Sequence, residues 1–325
     1  MSDYSIFYKR AWSGMEAWPT DLQWDVFLSA FNSSDRVKTV FRNAPADCKH
    51  WLISPEYHYK DTEFPVGQCF APRCDNEADV ITSYFATSGI DPCATRLCVD
   101  ITGFMRPHLL VLLKFLCLRG VQKVDVIYSE PLRYRNREKT RFSDETVTEV
   151  RQIAGYEGNH VPDTSDDWLI IGAGYDHTLI AHVAEYKESA RKVQLLGLPS
   201  LRADMYQENV LRAQLASEQL GGATGEPDLT YFAPANDPFI TANALSEVHE
   251  LITRNGRVSN LYLCPISTKV QVLGFGLYYL YEWVNGAASM IFPFCRGYER
   301  ETSQGLSRIW WYQVELPTIG RGGRP

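Results

Sequence analysis

The sequence lacks the short motifs that usually identify a nucleotide hydrolase or a metalloenzyme. It contains no P-loop, no GxSxG elbow, no HExxH helix and no zinc-deaminase pattern. None of its eight cysteines is spaced as a CxxC pair. The sequence therefore predicts no metal site, implies no cofactor and specifies no reaction.

Long apolar runs are also missing. No uncharged apolar stretch reaches the length of about 18 residues that a membrane span needs. The opening residues, MSDYSIFYKRAW, have no apolar core of the secretory type. A net charge of −7 argues against general coating of nucleic acid, although a local basic patch stays open. We expect a cytoplasmic protein whose thiols are mostly buried and reduced.

At 325 residues the chain is long enough for one large domain or two modest ones. Alternating strand and helix patterns predict an α/β fold, Rossmann-like, with a largely parallel sheet built from repeated βαβ units. Gly221–Asp228 has the composition of a flexible linker. We therefore predict a first domain at 1–220, with an aromatic-rich N-terminal extension, and a second α/β unit at 221–325 packed on it.

One stretch organises the rest of the chain. Apolar runs predict a strand at Leu97–Ile101, a buried helix at Met105–Leu118 and a second strand at Val124–Tyr128. A βαβ unit of this size pairs its strands in parallel, so the loops after both strands share one edge of the sheet. Ligands of open α/β sheets bind at that edge.

The same pattern recurs when 164 is added to each number. The first strand falls on Leu261–Pro265, the second on Ala288–Phe292, and Tyr134 falls on Tyr298 without a gap. Equal spacing predicts two pseudo-symmetric halves. The alternative is that any two βαβ units align this well.

Two further elements are predicted near the start of the chain. Leu22, Val26, Phe27 and Ala30 share one helical face, which predicts a helix from Thr20 or Asp21 through Phe31. The β-branched content of Arg36–Arg42 predicts a strand there.

The turn Asp100–Arg106, with the sequence DITGFMR, is the first candidate ligand site. A strand that ends in a hydroxyl–glycine turn and opens a helix presents backbone N–H groups and a positive dipole end to an anion. Thr102 and Gly103 would contact the ligand, and Arg106 would add a fork of donors suited to phosphate. The alternative is that Asp100 and Thr102 only cap the helix.

This turn resembles the DITGGTK-type turn of the CARF domains, Rossmann-like sensors of cyclic oligonucleotides in prokaryotic antiviral systems. Residues 100–103 match that turn, while Phe104 replaces its second glycine, Met105 its small hydroxyl residue and Arg106 its lysine. The equivalent turn of the second half keeps a hydroxyl and a lysine, at Thr268 and Lys269. The resemblance implies a ligand-sensing fold in a bacterial antiviral setting.

Two other stretches carry candidate site residues. A basic loop contains Arg133, Tyr134, Arg135, Arg137, Lys139 and Arg141, which suit a phosphate, a nucleotide or nucleic acid. A solvated surface loop or a protein interface explains the same composition.

The other stretch, GAGYDH, places Gly172 and Gly174 where backbone can approach a ligand. His177 follows as a possible acid or base, with a purely structural histidine as the alternative.

We therefore expect a sensor or assembly component of a multi-protein bacterial system that binds a nucleotide or phosphate ligand. The ligand-binding candidates in the two halves, Thr102 and Arg106 with Thr268 and Lys269, would share one cleft, and Tyr298 would correspond to Tyr134. We also expect a partner protein or a homo-oligomer. Two alternatives stay open: a nucleotide-directed hydrolase or transferase that uses Asp100 and His177, and a scaffold that binds only proteins.

Overall fold

The computed structural model describes residues 3–74, 76–134, 147–174, 176–201, 229–254, 256–301 and 303–319. The chain divides into two compact units, and it contributes two segments to each. We call Phe7–Thr140 with Gly297–Pro325 unit A, and Met1–Ile6 with Arg141–Arg296 unit B.

The described residues form strands and α-helices in alternation, with short 3-10 turns at Tyr4–Ile6, Pro55–Tyr57 and Asp61–Glu63. In chain order the elements are β1 (Lys9–Ser13), β2 (Trp24–Ala30), α1 (Asp35–Asn43), β3 (Ala46–Leu52), β4 (Gln68–Phe70), α2 (Glu77–Ser88), β5 (Leu97–Asp100), α3 (Arg106–Arg119), β6 (Lys123–Glu130), β7 (Arg133–Tyr134), β8 (Val147–Gln152), β9 (Trp168–Gly172), α4 (His177–Tyr186), β10 (Arg191–Gly197), β11 (Leu229–Ala233), α5 (Pro238–Arg254), β12 (Leu261–Pro265), α6 (Lys269–Glu282), β13 (Ala288–Cys295), β14 (Ser303–Gln304) and β15 (Arg308–Glu315).

Both units use the same sheet topology. In unit A the order is β1-β15-β6-β5-β2-β3-β4, and in unit B it is β11-β10-β9-β12-β13-β8. Within each unit, the parallel strands counted along the chain lie in the order 3-2-1-4-5. An antiparallel strand pairs with the fifth, β15 in unit A and β8 in unit B. This is the Rossmann-like α/β fold, present twice, with two mixed but mostly parallel sheets.

The predicted repeat appears at the level of elements. The βαβ unit β5-α3-β6 has its counterpart in β12-α6-β13, and the strands pair in parallel in both. The helices begin 163 residues apart (269 − 106) and the second strands 165 apart (288 − 123), against the predicted 164. The shared order of the five parallel strands makes the two halves equivalent at this level, while the antiparallel strand follows the parallel strands along the chain in unit A and precedes them in unit B.

Two predictions near the start of the chain are wrong. Trp24–Ala30 is strand β2 rather than part of a helix, and Asp35–Asn43 is helix α1 rather than a strand. Strand β2 lies in the middle of the sheet and is buried on both faces, so its apolar residues do not alternate. In α1, the buried Val37, Val40 and Phe41 have helical spacing, which outweighs the β-branched content.

The chain also divides elsewhere than at the predicted boundary of 220/221. Strands β10 and β11 lie on either side of that boundary and pair in parallel from Val193 to Gly197. A division there would break a continuous sheet. The linker Gly221–Asp228 lies outside the described residues.

Aromatic side chains fill one side of the unit A sheet. Phe41 stacks on Trp51 with ring centroids 3.5 Å apart, and Trp24 is fully buried among the same group. The indole nitrogen of Trp24 donates to the carboxylate of Asp125 over 2.7 Å, which satisfies its only polar atom. In the described part of the chain, no helix is both long and apolar enough to cross a membrane.

Candidate functional site: the carboxyl edges of the two sheets

Asp100 fixes the turn that follows β5. It is fully buried, and its carboxylate accepts hydrogen bonds from the Ser29 hydroxyl over 2.9 Å and from the Thr102 amide over 3.0 Å. Burial raises the pKa of Asp100 above its ordinary value of 3.8, against the opposing effect of these hydrogen bonds. The carboxylate therefore joins the turn after the fourth parallel strand, β5, to the first parallel strand, β2.

Thr102 joins the same turn to the end of β6. Its hydroxyl lies 3.0 Å from the Ser129 hydroxyl and accepts the Ser129 amide over 3.0 Å. Only 2% of Thr102 is exposed. The structure thus gives Thr102 protein partners of its own, and its contact with a ligand stays a prediction.

Glycines allow the strand-end loops to approach each other closely. A Cβ on Gly103 would overlap the carbonyl oxygen of Ala30, at the end of β2. In unit B, a Cβ on Gly174 would overlap the carbonyl oxygen of Ile266, and one on Gly172 would lie 2.8 Å from the Phe275 ring. Packing alone requires glycine at these positions, while their approach to a ligand stays a prediction.

The loop after β3 lies against the turn after β5. Tyr57 donates its hydroxyl to the carbonyl oxygen of Gly103 over 3.2 Å. His108, fully buried in the first turn of α3, places Nδ1 3.5 Å from the Ser54 hydroxyl and Nε2 3.1 Å from Glu56 Oε1. The sequence does not reveal this Ser–His–Glu arrangement, because Ser54 and Glu56 lie about fifty residues before His108 along the chain.

The Glu56–His108 contact changes the acidity of the glutamate. Burial tends to raise the pKa of Glu56, but the neighbouring His108 and a backbone hydrogen bond together outweigh it and hold the pKa below the ordinary 4.5. Arg106, the first residue of α3, is half-buried beside this group, and Met105 provides no side-chain cap for the helix. The amino end of α3 therefore combines a cation with an uncapped helix terminus.

Arg36 is a second cation at this edge. It belongs to the first turn of α1, is 6% exposed, and donates through Nη1 to the carbonyl oxygen of Ser129. The sequence does not reveal this cation, because the β-branched content of Arg36–Arg42 favours a strand. The helical spacing of Val37, Val40 and Phe41 directly after β2 is the signal that would have placed it.

Unit B places its predicted residues at the equivalent edge. Thr268 caps α6 by accepting the Gln271 amide over 3.2 Å, and donates its hydroxyl to the carbonyl oxygen of Ala235 over 2.7 Å. Lys269 is the first residue of α6, the position that Arg106 has in α3. The two turns belong to different units, and their joint use stays a prediction.

The amino terminus of α4 in unit B is capped differently from that of α1 in unit A. Asp176 caps α4, and its carboxylate accepts the Thr178 and Leu179 amides over 3.2 and 3.4 Å. A built-in carboxylate thus occupies the helix end that follows Gly172 and Gly174. His177 is the first residue of α4.

The basic loop is described only at its start. Arg133 and Tyr134 form β7, which pairs antiparallel with β14, and Arg133 is exposed. The other predicted cations, Arg135, Arg137, Lys139 and Arg141, lie outside the described residues. Tyr298 is buried, at 9% exposure, in the segment that leads to β14.

The two candidate catalytic residues belong to different units, Asp100 to unit A and His177 to unit B. Asp100 is buried and hydrogen-bonded as part of the turn. Within the described ranges, no group of three His, Cys, Asp or Glu side chains is arranged to hold a metal ion.

Comparison with known proteins finds no matching family model and no similar curated protein. A solved structure of CobK precorrin-6A reductase aligns with 85% of this chain and 91% of its own, at 12% identity and a TM-score of 0.23. A likeness at that score carries no argument about fold or function.

Proposed function

We propose that the protein binds a nucleotide or another phosphate-bearing ligand at the carboxyl edges of its sheets and acts as a ligand-sensing component. The observation that carries this proposal is the shared strand order 3-2-1-4-5. Neighbouring loops diverge between the first and fourth strands of such a sheet, and open α/β proteins bind ligands in that crevice. The predicted turns at Asp100–Arg106 and Ile266–Lys269 follow the fourth strand of each unit.

Charge supports an anionic ligand. Arg106 and Lys269 occupy the first position of α3 and α6, where the helix dipole also favours negative charge. A charge-assisted hydrogen bond to phosphate contributes roughly 1.5–3 kcal/mol, so loss of either cation should weaken binding about ten- to a hundredfold. The resemblance of residues 100–103 to the CARF-type turn supports a sensing role.

Equilibrium titration with mono-, di- and cyclic nucleotides tests the proposal in the wild type, Arg106→Ala and Lys269→Ala. Arg119→Ala, an exposed cation at the other end of α3, and Arg254→Ala, an exposed cation in α5, are matched controls. We expect both test variants to remain folded and to lose affinity while the controls keep it. Absence of binding, or test variants that unfold instead of losing ligand, would contradict the proposal.

A further inference from the structure

Arg36 carries a buried charge at the carboxyl edge of unit A. Its guanidinium donates through Nη1 to the carbonyl oxygen of Ser129 and lies 5.8 Å from the centre of the Tyr128 ring. Ser129 in turn contacts Thr102 through two hydrogen bonds. The guanidinium therefore lies where the ends of β5 and β6 meet the helix that follows β2.

This charge has no carboxylate partner within the described ranges. None of the ion pairs there includes Arg36, and its buried Nε has no hydrogen-bond acceptor. Asp100 is close enough to feel the charge, but its oxygens accept from Ser29 and Thr102. A buried cation and a buried unpaired donor are both costly, and an anion at this point would satisfy both.

The caps of α1 and α4, the equivalent helices of the two units, also favour an anion in unit A. In unit B, the carboxylate of Asp176 caps the helix that follows the first parallel strand. In unit A, Ser34 stands at that position and makes no side-chain capping bond. Asp35 in the first turn of α1 is exposed, whereas Arg36 is buried. Unit A is therefore the half that combines a positive helix end with a buried positive side chain.

We infer that Arg36 is the anchor for a phosphate group in unit A, with its Nε donating to a phosphate oxygen. The inference rests on the proposed function for the edge at which the ligand binds, and adds the residue that holds the phosphate. Guanidinium suits this role because its fork of donors matches a phosphate. Arg36 binds the phosphate and positions the rest of the ligand toward the turn after β5.

Inorganic phosphate is the probe, and the readout is the denaturant midpoint of the full chain at constant ionic strength. Phosphate that binds only the folded state raises the midpoint in proportion to ln(1 + c/Kd), where c is the phosphate concentration, so the rise flattens as c grows. Exclusion of phosphate from the surface raises the midpoint linearly with c and in all variants alike. The test variant is Arg36→Gln, whose amide can still donate to Ser129. Arg42→Gln, an exposed cation at the other end of α1, is the matched control.

We expect the wild type and Arg42→Gln to show the logarithmic shift, and Arg36→Gln to need at least about tenfold more phosphate for the same shift. An unchanged curve for Arg36→Gln, or a wild-type shift that is only linear in phosphate concentration, overturns the inference. A second variant keeps Arg36 in place. Asp100→Asn removes the nearby negative charge, so it should tighten phosphate binding, and unchanged binding would again overturn the inference.

The same variants separate this inference from the proposed function. Nucleotide binding that depends on Arg106 but is unaffected in Arg36→Gln leaves the proposed function standing and removes the role of Arg36. Phosphate binding that depends on Arg36, without any nucleotide binding, supports the role of Arg36 and contradicts the proposed function.

Discussion

The hydroxyl of Tyr57 donates to the carbonyl oxygen of Gly103 over 3.2 Å, and this bond joins the loop after β3 to the turn after β5. Tyr57 is 6% exposed, and burial raises the pKa of its hydroxyl well above the ordinary value. The hydroxyl therefore stays protonated, and able to donate, to a higher pH than that of an ordinary tyrosine. Two strand-end loops of unit A are thus held together by a buried hydrogen bond at the proposed ligand edge.

Tyr57→Phe should lower the free energy of unfolding by about 1–3 kcal/mol, because it leaves a buried carbonyl oxygen without its donor. Tyr8→Phe is the control, since Tyr8 is 53% exposed and keeps its ring contact with Trp311. Urea unfolding measures both. Equal effects of the two substitutions would show that the Tyr57 bond contributes nothing specific.

Gly103→Ala should destabilise unit A far more than an ordinary glycine substitution. The added Cβ would overlap the carbonyl oxygen of Ala30, which is backbone and has no rotamer to adopt. Gly89→Ala is the comparison, because Gly89 has a φ of +68° but open space around its Cβ position. That conformation alone costs about 1–2 kcal/mol. A Gly103→Ala loss no larger than the Gly89→Ala loss would refute the close approach of these loops.

Glu56 should make stability depend on pH in the acid range. Its folded pKa lies below the ordinary 4.5, so its contact with His108 contributes stability above that value. The contribution disappears as the pH falls through the folded pKa. In Glu56→Gln, we expect lower stability near neutrality and a flatter acid limb in unfolding experiments across pH. The exposed Glu16→Gln should leave the limb unchanged, and a wild-type slope in Glu56→Gln would contradict the pairing.

Asp100 should make the free energy of unfolding depend on pH in the opposite direction. Because burial raises its folded pKa above 3.8, its contribution to stability is complete below that value and is lost as the pH rises through the folded pKa. Asp100→Asn keeps the shape, with Oδ1 accepting from the Thr102 amide and Nδ2 donating to Ser29. The variant should be at least as stable as the wild type at neutral pH, and a loss of similar size at every pH would contradict this.

The sequence predicts best those elements whose pattern is unambiguous. The strand predicted at Leu261–Pro265 has the same bounds in the structure, and the helix predicted at Met105–Leu118 lies at Arg106–Arg119. Both are apolar runs bounded by glycine or a polar turn. The exchange of helix and strand near the start arose because a central strand buried on both faces shows no alternation.

Contacts between distant residues explain why part of the site was missed. The predicted turns lie at the carboxyl edges because strand ends are visible in the sequence. The approach of Tyr57 to Gly103 and of Glu56 to His108 depends on how the loop after β3 folds over α3. Arg36 was hidden by the exchange of elements, since a residue assigned to a strand is not expected at a helix terminus.

Hydrogen–deuterium exchange with the best-binding nucleotide tests the central claim most directly, because it distinguishes the two edges of each sheet. We predict slower exchange in peptides that cover strand ends on the carboxyl edge, at 30–36 and 100–108 in unit A and at 264–270 in unit B. Peptides on the opposite edge, at 91–97 in unit A and at 161–168 and 187–191 in unit B, should be unaffected. Protection confined to the opposite edge, or absent under saturating nucleotide, would contradict the claim that this protein binds its ligand at the carboxyl edges of its sheets.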